Sequence, residues 1–144
     1  MNDSRERIIS RALSKMREYD FVDLDEYEID EMLDPFLTSA ESEFARVCEE
    51  SFEKDKSGEY VNSLSEECIE ILALGVVAYW ITAYAADADK MRNALGTKDY
   101  SLFSPANLLS TVEEVRKNFL MDFQTAINKY SFIHGNLFRD GKRA

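Results

Sequence analysis

An uncharged run of sixteen residues, Ile71–Ala86, constrains the fold of this chain more than any other feature of its sequence. Glu70 precedes the run, Asp87 follows it, and Gly75 and Thr82 lie within it. A membrane-spanning helix needs about 20 mainly apolar residues, so this run is short for that role. A helix that is apolar on all sides is typical of a buried position. We therefore expect a central helix enclosed by the rest of the protein, and no membrane span.

The composition favours helices over strands. The chain has 144 residues, which is enough for one domain with a sizeable core. Apolar residues make up 45%, which argues against disorder, while five glycines and two prolines are too few for a turn-rich β fold. We predict an all-α fold, with a helical bundle domain over residues 1–135 and an extended C-terminal tail over residues 136–144.

Apolar spacing and capping residues place the first two helices. Residues 3–19 carry apolar side chains at helical spacing and charges on the other face, which predicts an amphipathic helix. Residues 20–33 mix acids with apolar residues and are expected to form a loop with at most a short helical turn. Asp34 and Pro35 then have the form of a helix start, cap followed by proline, and that helix is expected to reach about Glu53.

Two long helices are predicted in the second half of the chain. The sequence SLSE at residues 63–66 has the form of a capping box and predicts a helix over about residues 65–95. Ser104 and Pro105 predict the start of the last helix, which ends near Ser131. The connection between them is short, so we expect these two helices to pack antiparallel in a small bundle of four to five helices.

The negative charge is concentrated in one third of the chain. Residues 20–70 carry eighteen acidic and three basic side chains, a net charge of −15, whereas residues 1–19 and 71–144 each carry a net +2. A segment this acidic repels phosphate, so it is not a nucleic-acid-binding face. It is either a solvated surface or a face that meets a basic partner.

The residues that carry chemistry show no catalytic or metal-binding spacing. Cys48, Cys68 and His134 form neither a zinc pattern nor a nucleophile–base motif, and we expect the cysteines to be buried free thiols in a reducing compartment. The many carboxylates include no Glu-x-x-His motif and no calcium-loop pattern. We therefore expect no enzyme activity, no metal and no cofactor; a small helical enzyme that uses carboxylates is a competing hypothesis.

Aromatic side chains within the uncharged run suggest a contact surface. Tyr79, Trp80 and Tyr84 lie there at helical spacing, which is typical of a core. A helix that is apolar on nearly all sides has more surface to bury than one small bundle offers, however. We therefore predict that these three residues take part in self-association.

The second half of the chain also carries a family resemblance. The long uncharged helix ends in AADADKMRNALGTKDY, the next helix begins with SLFSPANLL, and the chain then leaves through an aromatic YSFIHG segment. Over about residues 65–138 these features resemble the head–tail connector proteins of long-tailed bacteriophages, also called neck adaptor or head-completion proteins. The first 60 residues resemble the family less, apart from DPFLTSAESEF.

The resemblance implies a structural virion protein at the head–tail interface, made in the host bacterial cytoplasm. Proteins of this family are small helical bundles that form a ring of about twelve copies below the portal. The ring extends the DNA channel, through which DNA passes without specific binding, and offers a docking platform for the next neck or tail-completion protein. Stopper and tail-completion proteins themselves are often β-rich, which fits this helical chain less well.

The resemblance also implies a role for the C-terminal tail. In this family the C-terminal segment commonly reaches out of the bundle and grips the portal protein. Apolar side chains there would anchor the contact, and basic ones would suit an acidic partner; a plain disordered terminus is the alternative. The implied portal-contacting residues are Asn136, Leu137, Phe138, Arg139, Lys142 and Arg143.

One further function is compatible with the charge pattern. The segment with a net charge of −15 would also suit an acidic regulatory or DNA-mimic protein that captures a basic partner.

Overall fold

The computed structural model describes residues 3–16, 26–86 and 105–135, and over these residues the protein is all-α, as predicted. An isolated antiparallel bridge joins Lys54 to Tyr60, and the described residues contain no strand. The helices are α1 (Ser4–Met16), α2 (Glu26–Phe44), α3 (Glu66–Ala86) and α4 (Pro105–Ile133).

Helix α3 is the centre of the described structure, because α1, α2 and α4 each pack against it. From Cys68 to Ile81 nearly every side chain of α3 is buried, which confirms the predicted central helix over that stretch. By length and composition α3 could cross a membrane, but most of it is buried inside the fold, as in a core helix. The predicted continuation of this helix to residue 95 lies outside the described residues.

The N-cap of α3 lies two residues later than the SLSE pattern suggested. The hydroxyl of Ser65 accepts a hydrogen bond from the Cys68 N–H (3.2 Å), so Ser65 rather than Ser63 is the N-cap. The predicted beginning of α3 near Ser65 is therefore confirmed. Helix α4 begins at Pro105, as predicted, and ends two residues beyond the expected Ser131.

Helix α2 differs from its prediction at both ends. It begins at Glu26, so Pro35 lies inside the helix and does not start it, and the expected loop over residues 20–33 is wrong from residue 26 onward. It also ends at Phe44, not near Glu53.

The reason lies in the buried side of α2. Leu33, Leu37, Ala40 and Phe44 are fully buried and follow one stripe at helical spacing on both sides of the proline. Pro35 itself is exposed on the opposite side. Burial of the continuous stripe outweighs the hydrogen bond that the proline cannot donate.

The segment after α2, residues 45–65, is irregular, and two of its side chains bind a buried carboxylate on α2. This carboxylate belongs to Glu41, which is 8% exposed. It accepts a hydrogen bond from the Tyr60 hydroxyl and forms an ion pair with Lys54 (2.8 Å). Between these two residues the chain turns at Gly58, whose φ of 89° lies in the left-handed region that favours glycine. The pairing explains why a charged side chain is tolerated in the core.

Opposite charges also line the contact between α1 and α3. Glu66 pairs with Arg7 and Arg11, and Glu70 pairs with Arg11 and Lys15. The basic first helix therefore lies against part of the acidic segment.

Candidate functional site

The end of α4 is held by a polar cluster where the segment after α2 meets the first turn of α3. This α4-end cluster brings titratable and nucleophilic side chains from three parts of the chain together. Its members are Cys48, Glu49, Glu50, Glu67, Cys68, Tyr130 and His134.

Tyr130 connects α4 to the segment after α2. Its side chain is 1% exposed and meets the Phe44 ring edge-on, with 4.9 Å between ring centroids. Its hydroxyl oxygen accepts a hydrogen bond from the Glu49 N–H (3.1 Å). Burial is the main cause that raises the pKa of Tyr130, so this hydroxyl stays protonated at neutral pH.

His134 lies one turn later and bridges two carboxylates. Its ring stacks on Tyr130, with 3.8 Å between centroids. Its Nε2 lies 2.7 Å from the Glu67 carboxylate and its Nδ1 lies 3.2 Å from the Glu49 carboxylate. The hydrogen bond to Glu67, followed by the one to Glu49, raises the pKa of His134 above its ordinary value. In its protonated form the imidazole ring pairs with both carboxylates and holds the end of α4 against two other parts of the chain.

A glycine then turns the chain away from the helix. Gly135 has a φ of 75°, the left-handed conformation in which a helix commonly ends. Its N–H donates to the Phe132 carbonyl (3.2 Å). Residues 130–135 are thus held by hydrogen bonds to the rest of the fold.

The two cysteines meet beside Tyr130. Their sulfur atoms lie 3.6 Å apart, and both thiols are free. Cys68 is buried and donates its S–H to the Glu50 carboxylate (2.7 Å), whereas Cys48 is only half-buried. Glu50 also accepts hydrogen bonds from the N–H (2.8 Å) and hydroxyl (2.6 Å) of Ser65. The expectation of two buried thiols is therefore correct for Cys68 and only half correct for Cys48.

These hydrogen bonds separate the acidities of the two thiols. Contact with the Cys68 sulfur, followed by hydrogen bonds with the Glu50 N–H and Tyr130, lowers the pKa of Cys48 to about 7, against the opposing effect of burial. The same contact, together with burial and the Glu50 carboxylate, raises the pKa of Cys68. Burial opposes ionisation of Glu50, but hydrogen bonds from Cys68 and Ser65 outweigh it, so the pKa of Glu50 is lowered. Of the two thiols, Cys48 is therefore the more acidic and Cys68 the less acidic.

Sequence reasoning did not predict this cluster. The sequence shows no motif spacing for His134 and predicts the cysteines only as buried free thiols. The partners of His134 lie 85 and 67 residues away along the chain, and the cysteines are 20 apart, so no local spacing could indicate the contact.

The aromatic residues predicted for self-association are packed within the chain itself. Trp80 is 5% exposed and stacks on Tyr84 in a tilted arrangement, with centroids 5.6 Å apart. Tyr79 is partly buried and meets the Phe123 ring edge-on at 6.0 Å. Their contact with another copy of the chain stays a prediction.

Among the described residues of α3, no large apolar side chain is fully exposed, although several, including Tyr79 and Tyr84, are only partly buried. The large exposed apolar side chains of the described residues lie instead after α2 and on α4, at Val61, Met121, Phe132 and Ile133. Two of these, Phe132 and Ile133, are the last two residues of α4. The residues predicted to contact the portal, within 136–143, lie outside the described residues.

An acidic cleft lies on the other side of α2. It is open, has a volume of about 400 Å³, and is lined by Arg5, Glu31, Asp34, Ser57, Gly58 and Glu59. Arg5 donates to the Asp34 carboxylate (3.0 Å). Over the described parts of the chain, no three His, Cys, Asp or Glu side chains are grouped so that they could hold a metal ion.

Comparison of the chain with protein-family models, with curated proteins and with solved structures gave no match.

Proposed function

We propose that this protein is a head–tail connector adaptor of a long-tailed bacteriophage. In this proposal about twelve copies form a ring below the portal, extend the DNA channel and present a platform to the next neck or tail-completion protein. Residues 1–135 form the bundle, with two long antiparallel helices, and residues 136–144 form the extended tail that grips the portal. DNA passes through the ring without specific binding.

The contacts that hold the end of α4 in place, just before residue 136, are the observation that most supports this proposal. A segment that grips a partner needs a rigid point of departure, because tethering to a fixed body lowers the entropy lost on binding. Tyr130, His134 and the left-handed Gly135 supply such a point immediately before residue 136. Phe132 and Ile133, 57% and 58% exposed, add apolar surface where the tail begins.

The contacts between α3 and α4 are compatible with the proposed antiparallel pair. His134, at the end of α4, contacts Glu67 near the start of α3. Phe123, three turns earlier on α4, contacts Tyr79, three turns later on α3. Contacts that move in opposite directions along two helices are typical of antiparallel packing.

The acidity of residues 20–70 also suits a connector. DNA must slide through a ring without adhering, and a negatively charged lumen avoids contacts with phosphate. The same acidity is expected to prevent stable binding of the free chain to duplex DNA.

Deletion of residues 136–144 tests the proposal. The truncated protein is expected to keep its helical circular dichroism and its unfolding transition, yet to be absent from purified portal complexes. Replacement of the same nine residues by a Gly/Ser segment of equal length controls for chain length. Normal incorporation of either variant would contradict the gripping tail, and electron microscopy that located the chain away from the portal vertex would contradict the whole proposal.

An acidic regulatory or DNA-mimic protein is the second candidate, and the cleft beside α2 favours it. Glu31, Asp34 and Glu59 line that cleft, with Arg5 as its basic residue. A basic nucleic-acid-binding protein captured through this face would be released at moderate salt, because exposed charge pairs are screened. Capture that depends on Glu31 and Glu59 and is lost at moderate salt would support this candidate over the connector.

A further inference from the structure

Two thiols of unequal exposure lie in contact at the α4-end cluster. The sulfur atoms of Cys48 and Cys68 are 3.6 Å apart. A disulfide bond is about 2.05 Å long, so an approach of about 1.5 Å would allow the bond to form. Cys48 is half-buried, whereas Cys68 is buried.

The two sulfur atoms have different neighbours, which suit them to different chemical roles. Cys48 faces three hydrogen-bonding groups: the Cys68 thiol, the Tyr130 hydroxyl at 3.8 Å and the Glu50 N–H at 3.4 Å. Hydrogen bonds from the Glu50 N–H and the Tyr130 hydroxyl stabilise a thiolate, the form that attacks electrophiles. Cys68 donates its S–H to the Glu50 carboxylate, which disfavours its ionisation. The charge of His134 also acts on Glu50.

We propose that Cys48 is a peroxide-reactive thiol and that Cys68 resolves it, so that a hydroperoxide converts the pair into a disulfide. This inference goes beyond the proposed connector function and does not depend on it.

The reaction takes place in two balanced steps. The Cys48 thiolate attacks one oxygen of hydrogen peroxide, the O–O bond breaks, and the second oxygen leaves as hydroxide and is protonated to water. Cys48 is then a sulfenic acid. The Cys68 sulfur attacks the Cys48 sulfur, the S–O bond breaks, and the departing hydroxide takes the Cys68 proton and leaves as a second water. Overall, two thiols supply two electrons and reduce one peroxide to two waters.

The disulfide would join the segment after α2 to the first turn of α3. It would also constrain the unfolded chain by closing a loop, so the oxidised protein is expected to unfold at higher urea concentration than the reduced protein. Oxidation would therefore make the segment after α2 and the first turn of α3 more rigid, and Tyr130 and His134 contact these parts of the chain at the end of α4.

The test uses the full chain, reduced and then exposed to hydrogen peroxide, with intact mass and thiol alkylation as readouts. The wild type is expected to lose the mass of two hydrogens and both alkylatable thiols. In Cys68→Ser, Cys48 is expected to gain one oxygen and to react with a sulfenic-acid probe. In Cys48→Ser, oxidation of the remaining thiol is expected to be on the order of tenfold slower. Cys48→Ala and Cys68→Ala, checked by circular dichroism, show that the differences do not come from unfolding.

Three results would overturn the proposal. The first is wild-type protein that gains oxygen at Cys48 without forming the disulfide. The second is preferential oxidation of Cys68 in the wild type. The third is a Cys48 reaction no faster than that of free cysteine at the same pH.

Discussion

At the level of single residues, Gly75 shows how closely three helices approach one another. A glycine inside a helix usually costs about 1 kcal/mol relative to alanine, so its presence in α3 requires a reason. A Cβ atom at this position would lie 2.6 Å from the Ala40 Cβ and 2.7 Å from the Phe123 ring. Atoms of α2 and α4 thus occupy the space on this side of α3, and only a residue without a side chain fits.

Gly75→Ala is therefore expected to lower the free energy of unfolding by about 1–3 kcal/mol, despite the better helix propensity of alanine. Urea denaturation measures the change. Ala40→Gly removes one of the two clashing groups, so the double variant is expected to lose less stability than the sum of the single changes. A Gly75→Ala protein more stable than the wild type would show that α2 and α4 do not approach α3 this closely.

At the level of whole elements, α2 shows what the sequence could and could not predict. Helix class, the centrality of α3 and the start of α4 follow from apolar spacing and caps, which are local signals. Pro35 gives an equally local signal for a helix start, and there it misleads. The fully buried Leu33 and Leu37 lie on both sides of the proline, and their packing against α3 is a tertiary effect that no short window contains.

Pro35→Ala distinguishes the two interpretations of α2. If the helix runs through residue 35, alanine restores a backbone donor and removes a steric conflict, so the free energy of unfolding is expected to rise by about 1–3 kcal/mol. If the helix began at residue 35, proline would be favourable there and its loss would not stabilise the protein. Ser39→Ala, at an exposed position one turn later, controls for helix propensity alone. Urea midpoints of the variants decide between the outcomes.

The α4-end cluster shows a different limit of sequence reasoning. Cys48, Cys68 and His134 are recognisable in the sequence as residues with reactive side chains, yet no motif spacing connects them. Their contacts arise only when the segment after α2, the first turn of α3 and the end of α4 meet. Because only the tertiary fold brings these side chains together, their spacing along the sequence gives no sign of the cluster.

The pH response of α4 follows from its single histidine. Because Glu67 and Glu49 raise the folded-state pKa of His134, its charge stabilises the end of α4 below the ordinary histidine pKa of about 6.5. That stabilisation is lost as the pH rises through the raised folded-state value. An NMR titration of the imidazole is expected to give a pKa above 6.5, and Glu67→Gln is expected to lower it.

Glu66→Gln is the matched control for this titration. Glu66 precedes Glu67 in the sequence but pairs with Arg7 and Arg11 on α1. The same loss of one negative charge is therefore expected to leave the His134 titration nearly unchanged. Equal effects of the two substitutions would mean that general charge, and not the contact with Glu67, sets the pKa.

At the level of the whole molecule, part of the negative charge of the acidic segment is neutralised by ion pairs within the fold. The first segment, with a net charge of +2, places three basic residues of α1 against Glu66 and Glu70 at the end of the acidic segment. Exposed pairs of this kind each contribute about 0.2–1 kcal/mol and are screened by salt. The acidic cleft beside α2 has Arg5 as its basic lining residue, so charge there remains open to a basic partner.

Binding to the portal separates the two proposed functions, because they depend on different surfaces. If the tail grips through apolar contacts, a double variant of Leu137→Ser and Phe138→Ser is expected to weaken the complex at least tenfold at both low and moderate salt. A variant that neutralises Arg139, Lys142 and Arg143 is expected to weaken it mainly at low salt, where charge attraction is not screened. Sedimentation velocity of the chain with purified portal protein from the same phage measures both effects. If neither variant changed the bound fraction while Glu31→Gln released the partner, the acidic face of α2 and not the tail would be the binding surface.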